Sequence, residues 1–183
     1  MRHLSLGLFI AVLCSAGVRG EESPFTPVGA EMLDGNKLLL ADLKLSFAAP
    51  GEDWNWFLLK SGGSTAFACR NKTRTYLLVP HELSAEFDEK EMQQIMNGAM
   101  DSAKQKHFLI GERRIDASDK PLEKRSFRLS YTLGYPDGLR KSFVHIYVLK
   151  ASEKMSFIIQ EVSPNKEESD EFQRLIGGVT VIP

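Results

Sequence analysis

The chain has 183 residues, with 23 basic and 24 acidic side chains and a formal net charge of −1. That near balance gives no electrostatic case for binding nucleic acid or an anionic membrane surface. Of its two cysteines, Cys14 falls in an N-terminal apolar segment and only Cys69 in the body. Once that segment is removed, an intramolecular disulfide and a four-cysteine zinc site are both excluded.

Residues 1–20 read as a secretory signal. Arg2 and His3 give a positive start, Leu4 to Ala16 run almost wholly apolar, and small residues follow at Ala16, Gly17 and Gly20. The apolar run is shorter than the roughly 20 residues a spanning helix needs. Cleavage is expected after Gly20, with Ala16 as the alternative, which leaves no stable membrane anchor. Cys14 follows Leu13, so a lipid anchor is not expected. The absence of a disulfide framework favours a bacterial periplasm over a eukaryotic exterior, although Asn71-Lys72-Thr73 is a glycosylation sequon.

Residues 21–36, rich in proline, glycine and acids, read as a flexible leader, and 37–183 as a single α/β domain. The chain turns apolar from Lys37 to Phe47, and Pro50-Gly51 marks a turn. Trp54–Leu59, Thr65–Cys69 and Thr75–Val79 are predicted strands, with Gly62-Gly63 between the first two and Pro80 ending the third. Trp54 and Trp56 stand two apart and are expected to anchor the core. Asp88 to about Lys106 is a predicted helix: Met92, Ile95, Met96, Ala99, Met100 and Ala103 repeat at three- and four-residue steps. Asp88 and Glu91 resemble a capping box.

Four further strands are predicted: Phe108–Ile115, Arg125–Leu133, Leu139–Leu149 and Met155–Val162. Asp137-Gly138 is a strong hairpin turn because both residues tolerate positive φ. A last helix is expected from about Lys166 to Ile176, with Asn165 as cap, Glu168 completing the box and Gly177 as stop. Val179–Ile182 would return as a short strand. Successive hairpins with two helices define an α+β class with a mainly antiparallel sheet.

The two turns also predict register. Centring the first hairpin on Asp137-Gly138 pairs Leu129 with Ile146 and Tyr131 with Val144. Closing the next through Ala151–Lys154 puts Ile146 beside Ile159 and Val148 beside Phe157. One face then holds Phe127, Leu129, Tyr131 and Val144 with Ile146, Val148, Phe157 and Ile159, and is the expected core. The other face carries Arg128, Ser130, His145, Tyr147 and Gln160, and is the candidate surface for a protein or small-molecule ligand. Both faces exchange if the register slips by one residue.

No catalytic signature is present: no G-x-S-x-G elbow, no phosphate-binding glycine loop and no H-E-x-x-H pair. The histidines are far apart, so no metal site or cofactor is expected. Cys69, in an apolar strand, is expected to be a buried small hydrophobe. A hydrolase or thiol enzyme using Cys69 or His145 is the alternative to a non-enzymatic role. Lys120, Lys124 and Arg125, near Arg113 and Arg114, read as a charged sheet edge.

The segment Leu45-Ser46-Phe47-Ala48-Ala49-Pro50-Gly51-Glu52-Asp53-Trp54 resembles the early strand and turn of PsbP-like domains, and the later order of long helix, antiparallel strands and C-terminal helix is similar. The resemblance spans about Leu38 to Ile182. It implies an α/β/α sandwich, an architecture shared with a Ran-binding nuclear import factor, and a non-enzymatic binding or accessory domain. The secretory signal argues against a Ran role. No residue set matches the photosystem metal sites of the family.

Overall fold

A computed structural model describes residues 25–61, 64–83, 86–118 and 126–182. Residues 1–24, which include the segment read as a secretory signal, and residues 62–63, 84–85, 119–125 and 183 lie outside the described residues. Eight strands form one antiparallel sheet: β1 (Phe25–Pro27), β5 (Asn55–Ser61), β6 (Ser64–Arg70), β7 (Thr75–Glu82), β11 (Met155–Ser163), β10 (Lys141–Lys150), β9 (Ser126–Gly134) and β8 (Leu109–Ser118), in that order across it. A smaller sheet has the order β12 (Val179–Val181), β4 (Leu45–Ala48), β3 (Lys37–Leu40) and β2 (Leu33–Asp34). Two α-helices, α1 (Glu89–Gln105) and α2 (Asp170–Gly177), complete the α+β arrangement.

Helix α1 forms where the methionine periodicity places it. Asp88 caps it by accepting the Glu91 N–H at 2.9 Å. The stripe of Met92, Ile95, Met96, Ala99, Met100 and Ala103 is buried against one face of the large sheet, on Leu77, Leu129, Ile146 and Ile158. Burying each large apolar side chain of this kind contributes about 1.5–3 kcal/mol. His107, at φ +65°, turns the chain out of the helix towards β8.

The opposite face of the large sheet is covered by the small sheet and α2. Leu38, Phe47, Phe172 and Leu175 pack there on Phe67, Leu78, Tyr147 and Phe157. Trp54 stacks on Tyr76 with ring centroids 4.9 Å apart, and Trp56 Nε1–H donates to the Asn36 carbonyl at 2.9 Å, so both tryptophans are core anchors. That bond ties down the stretch read as a flexible leader. From Phe25 onward this stretch is built in: Phe25–Pro27 pairs with β5, and Leu33–Asp34 with β3. Polar composition suggested a leader, but its hydrogen bonds are main-chain pairings at sheet edges. The apolar run 37–47 is also broken in two, because Lys44 at φ +53° folds β4 back onto β3.

The hairpin register differs at one turn. Leu129 pairs with Ile146 and Tyr131 with Val144, as the Asp137-Gly138 turn predicts, with Gly138 at φ +70°. In the next hairpin, however, Ile146 faces Gln160 and Tyr147 faces Ile159. The Ala151 N–H donates to the Met155 carbonyl at 2.9 Å, so the turn encloses three residues instead of an even number. The one-residue shift sends Phe157 and Ile159 to the small-sheet side. It brings Ile158 and Gln160 under α1.

Two boundaries also move. β7 continues through Pro80 to Glu82, paired with β11. α2 starts at Asp170 with Ser169 as its cap, accepting the Phe172 N–H at 3.1 Å. Asn165 and Glu168 do not cap it, because Glu168 is engaged by Arg128 instead.

Candidate functional site

The outer strands β8–β10 project polar side chains towards the segment that precedes α2. In the ladder Arg114 stands opposite Ser130, Ser130 opposite His145, and His145 opposite Glu161, so the four share one face in a row. Side chains paired this way sit about 4.5–5.5 Å apart at Cβ. Residues 166–168 pass over this row. Between them and the strands lies a cleft of about 360 Å³, with Ser130, Thr132, Phe143 and His145 among its lining residues. A bulge between Ile110 and Arg113 sets how β8 borders it. Gly111 at that bulge lies against Thr132, and a Cβ there would meet Thr132 Oγ1 at 2.1 Å, so any larger residue would force that side chain to turn aside.

The cleft lining is zwitterionic. Arg128 pairs with Glu168, and its guanidinium carbon lies 5.9 Å from the Tyr147 ring centroid. Arg114 Nη2 is 2.8 Å from Glu112 Oε1 and holds that carboxyl below the ordinary carboxylate range. Tyr147 is fully buried beneath, and desolvation pushes its phenol up to about 12, partly offset by a hydrogen bond with Ser126. His145 is only 6% exposed, and its Nε2 has no hydrogen-bond partner. Its ladder neighbour Glu161 is buried too, but both carboxylate oxygens are taken up by Ser169: Oε1 accepts from Oγ–H at 2.5 Å and Oε2 from N–H at 3.1 Å.

Of the five residues singled out in the sequence, Arg128, Ser130, His145 and Tyr147 share one face and gather at or beneath this cleft. Gln160 does not. The register shift turns it to the α1 side, where it is 1% exposed and neither amide atom has a partner. Sequence reasoning missed the covering segment 166–168 and Glu161. With the correct turn length, period-two alternation would have placed Glu161 opposite His145.

Cys69 is free and fully buried, and burial pushes its thiol well above the usual range. A nucleophilic thiolate is therefore disfavoured, and the cysteine version of the enzyme alternative loses its chemistry. Among the described residues no group of three or more His, Cys, Asp and Glu side chains is placed to hold a metal. No described helix is long and apolar enough to cross a membrane.

No family model matches the chain, and no curated protein is significantly similar to it in sequence. Among solved structures it is similar to a protein from Bacteroides thetaiotaomicron, at 11% identity and a TM-score of 0.41, covering 82% of this chain. The chain spans about half the length of that protein, covering 50% of it. It is also similar to the Saccharomyces cerevisiae Ran-binding protein Mog1p, at 10% identity and a TM-score of 0.44, covering 82% of this chain and 96% of that one.

Proposed function

We propose that the chain is an exported, non-enzymatic binding or accessory domain, and that its ligand or partner seats in the cleft over His145. The charged start, apolar run and small-residue exit of residues 1–20 support export to a periplasm or cell exterior. The sequence of helix, antiparallel strands and helix supports placing the domain in the PsbP-like α/β/α sandwich group.

The observation that carries the binding reading is the unsatisfied Nε2 of His145 in a cleft flanked by paired charges. A buried polar atom without a partner costs about 1–3 kcal/mol, a cost that a bound group completing the hydrogen bond would remove. Native mass spectrometry of the protein purified from its own host tests this. The expected result is a bound mass that His145→Ala and Arg128→Ala both lose. Repeated recovery of the bare chain, or a bound mass indifferent to both substitutions, overturns the reading. N-terminal sequencing tests export: the mature chain should begin after Gly20 or Ala16, and a cytosolic product retaining residues 1–20 would refute it.

A further inference from the structure

The large sheet is forked at one end. The ladder between β7 and β11 stops at the Leu77–Gln160 pair, although β7 begins two residues earlier and β11 runs three further. The facing edges of Thr75–Tyr76 and Glu161–Ser163 therefore have no ladder between them, and all of these residues line a second cleft of about 630 Å³. Ser169 closes the fork on the α2 side, where its Oγ lies 2.9 Å from Tyr76 Oη and 2.5 Å from Glu161 Oε1.

The prongs are cationic. Arg70, Lys72 and Arg74 border the cleft from one side, and Arg140 from the hairpin at the other. The one acid in the lining, Glu161, is buried and already accepts two hydrogen bonds from Ser169. Two of the cations have acidic partners outside the lining: Arg74 Nη1 is 2.7 Å from Glu171 Oε2, and Arg140 Nη2 is 3.0 Å from Asp137 Oδ2. Arg70 lies 5.0 Å above the Phe25 ring centroid, and neither it nor Lys72 has an acidic partner among the described residues. This positive concentration stands against a chain whose net charge is −1.

Open strand edges and a surplus of cations select for different things. Free edges pair with an extended main chain, as in recognition by strand addition. Cations select acidic side chains and steer their approach. We infer that the fork between β7 and β11 is a second binding site, distinct from the cleft over His145, and that it takes an extended, acidic peptide segment of a partner protein. The peptide backbone meets the β7 or β11 edge at the half-buried Thr75 and Val162, since Tyr76, Glu161 and Ser163 are buried, and its carboxylates meet Arg70, Lys72, Arg74 and Arg140.

The test is fluorescence anisotropy of the full chain with a labelled octapeptide of alternating Glu and Val. An alternating Lys-Val octapeptide, a Glu-Val octapeptide N-methylated at alternate residues, and inorganic phosphate as competitor serve as controls. Expected is saturable, salt-sensitive binding of the Glu-Val peptide alone, weakened about tenfold or more by Lys72→Glu combined with Arg140→Glu. Both side chains are on exposed turns, and circular dichroism confirms that the variant is folded. The N-methylated peptide should bind at least about tenfold more weakly, because it cannot complete strand pairing. Binding unaffected by the charge reversal, or absent altogether, overturns the inference. Equal binding of the N-methylated peptide, or full displacement by millimolar phosphate, would show a site for small anions and overturn the peptide assignment.

Discussion

Gln160 offers the sharpest check of the register. It is 1% exposed, lies opposite Ile146 and Leu77 in the ladders, and faces the underside of α1 with neither Oε1 nor Nε2 hydrogen-bonded. An amide buried without partners costs about 1–3 kcal/mol relative to an apolar group of the same shape. Gln160→Met keeps the length and flexibility of the side chain and removes the polar atoms, so it should stabilise the fold by about that amount. For a domain of this size each kcal/mol moves Tm by about 2–4 °C, which predicts a rise of about 2–12 °C. Gln160→Glu should do the reverse, since the same site would then hold an unpaired carboxylate. Urea unfolding followed by the fluorescence of buried Trp54 and Trp56, together with calorimetry, measures both. Had the even-length turn been right, Gln160 would share the cleft face with Arg128 and His145, and Gln160→Met would be close to neutral. A Met variant no more stable than the parent, with Glu equally tolerated, refutes the reasoning.

Ser169→Ala removes the α2 cap and takes the hydroxyl away from Glu161 Oε1 and Tyr76 Oη, while the Ser169 N–H to Glu161 Oε2 and the Arg74–Tyr76 hydrogen bond remain. A loss of about 2–4 kcal/mol in denaturant unfolding is expected, largely restored in Ser169→Thr; a change below about 1 kcal/mol would contradict it. Tyr147 makes the alkaline limb of stability predictable. Its folded value of about 12 lies above the unfolded value near 10, so its contribution is whole below about pH 10 and is lost as pH rises towards about 12. That loss amounts to about 2–3 kcal/mol, and Tyr147→Phe should remove it, shifting the alkaline unfolding midpoint upwards; an unchanged midpoint counts against burial as the cause. Cys69 should react with a chromogenic disulfide reagent only at the rate of unfolding, and rapid labelling under native conditions would show an opening that the fold does not contain.

What the amino-acid sequence determined by itself is local and periodic. The methionine stripe specifies α1, because a 3.6-residue repeat has only one face to bury. The turn centred on Asp137-Gly138 marks the β9–β10 register, and of the two only Gly138 takes up the positive φ that few other residues enter cheaply. Alternation marks Arg128, Ser130, His145 and Tyr147 as one face, and these four remain together. The turn after β10 has no such residue. Ala151-Ser152-Glu153-Lys154 fits loops of either parity, and one residue of difference decides on which side Gln160, Phe157 and Ile159 fall.

Tertiary structure alone decided what covers each face and where the coverage stops. The small sheet is assembled from β2–β4 near the start of the domain and β12 at its end, so no local window contains it. The cleft over His145 exists because residues 166–168 pass above β8–β10, held by the Arg128–Glu168 pair, and the fork exists because the β7–β11 ladder stops short. Each depends on contacts between residues far apart in the chain. Periodicity describes only the faces a segment must hide or show, whereas the partner that meets each face is chosen by the packing of the whole.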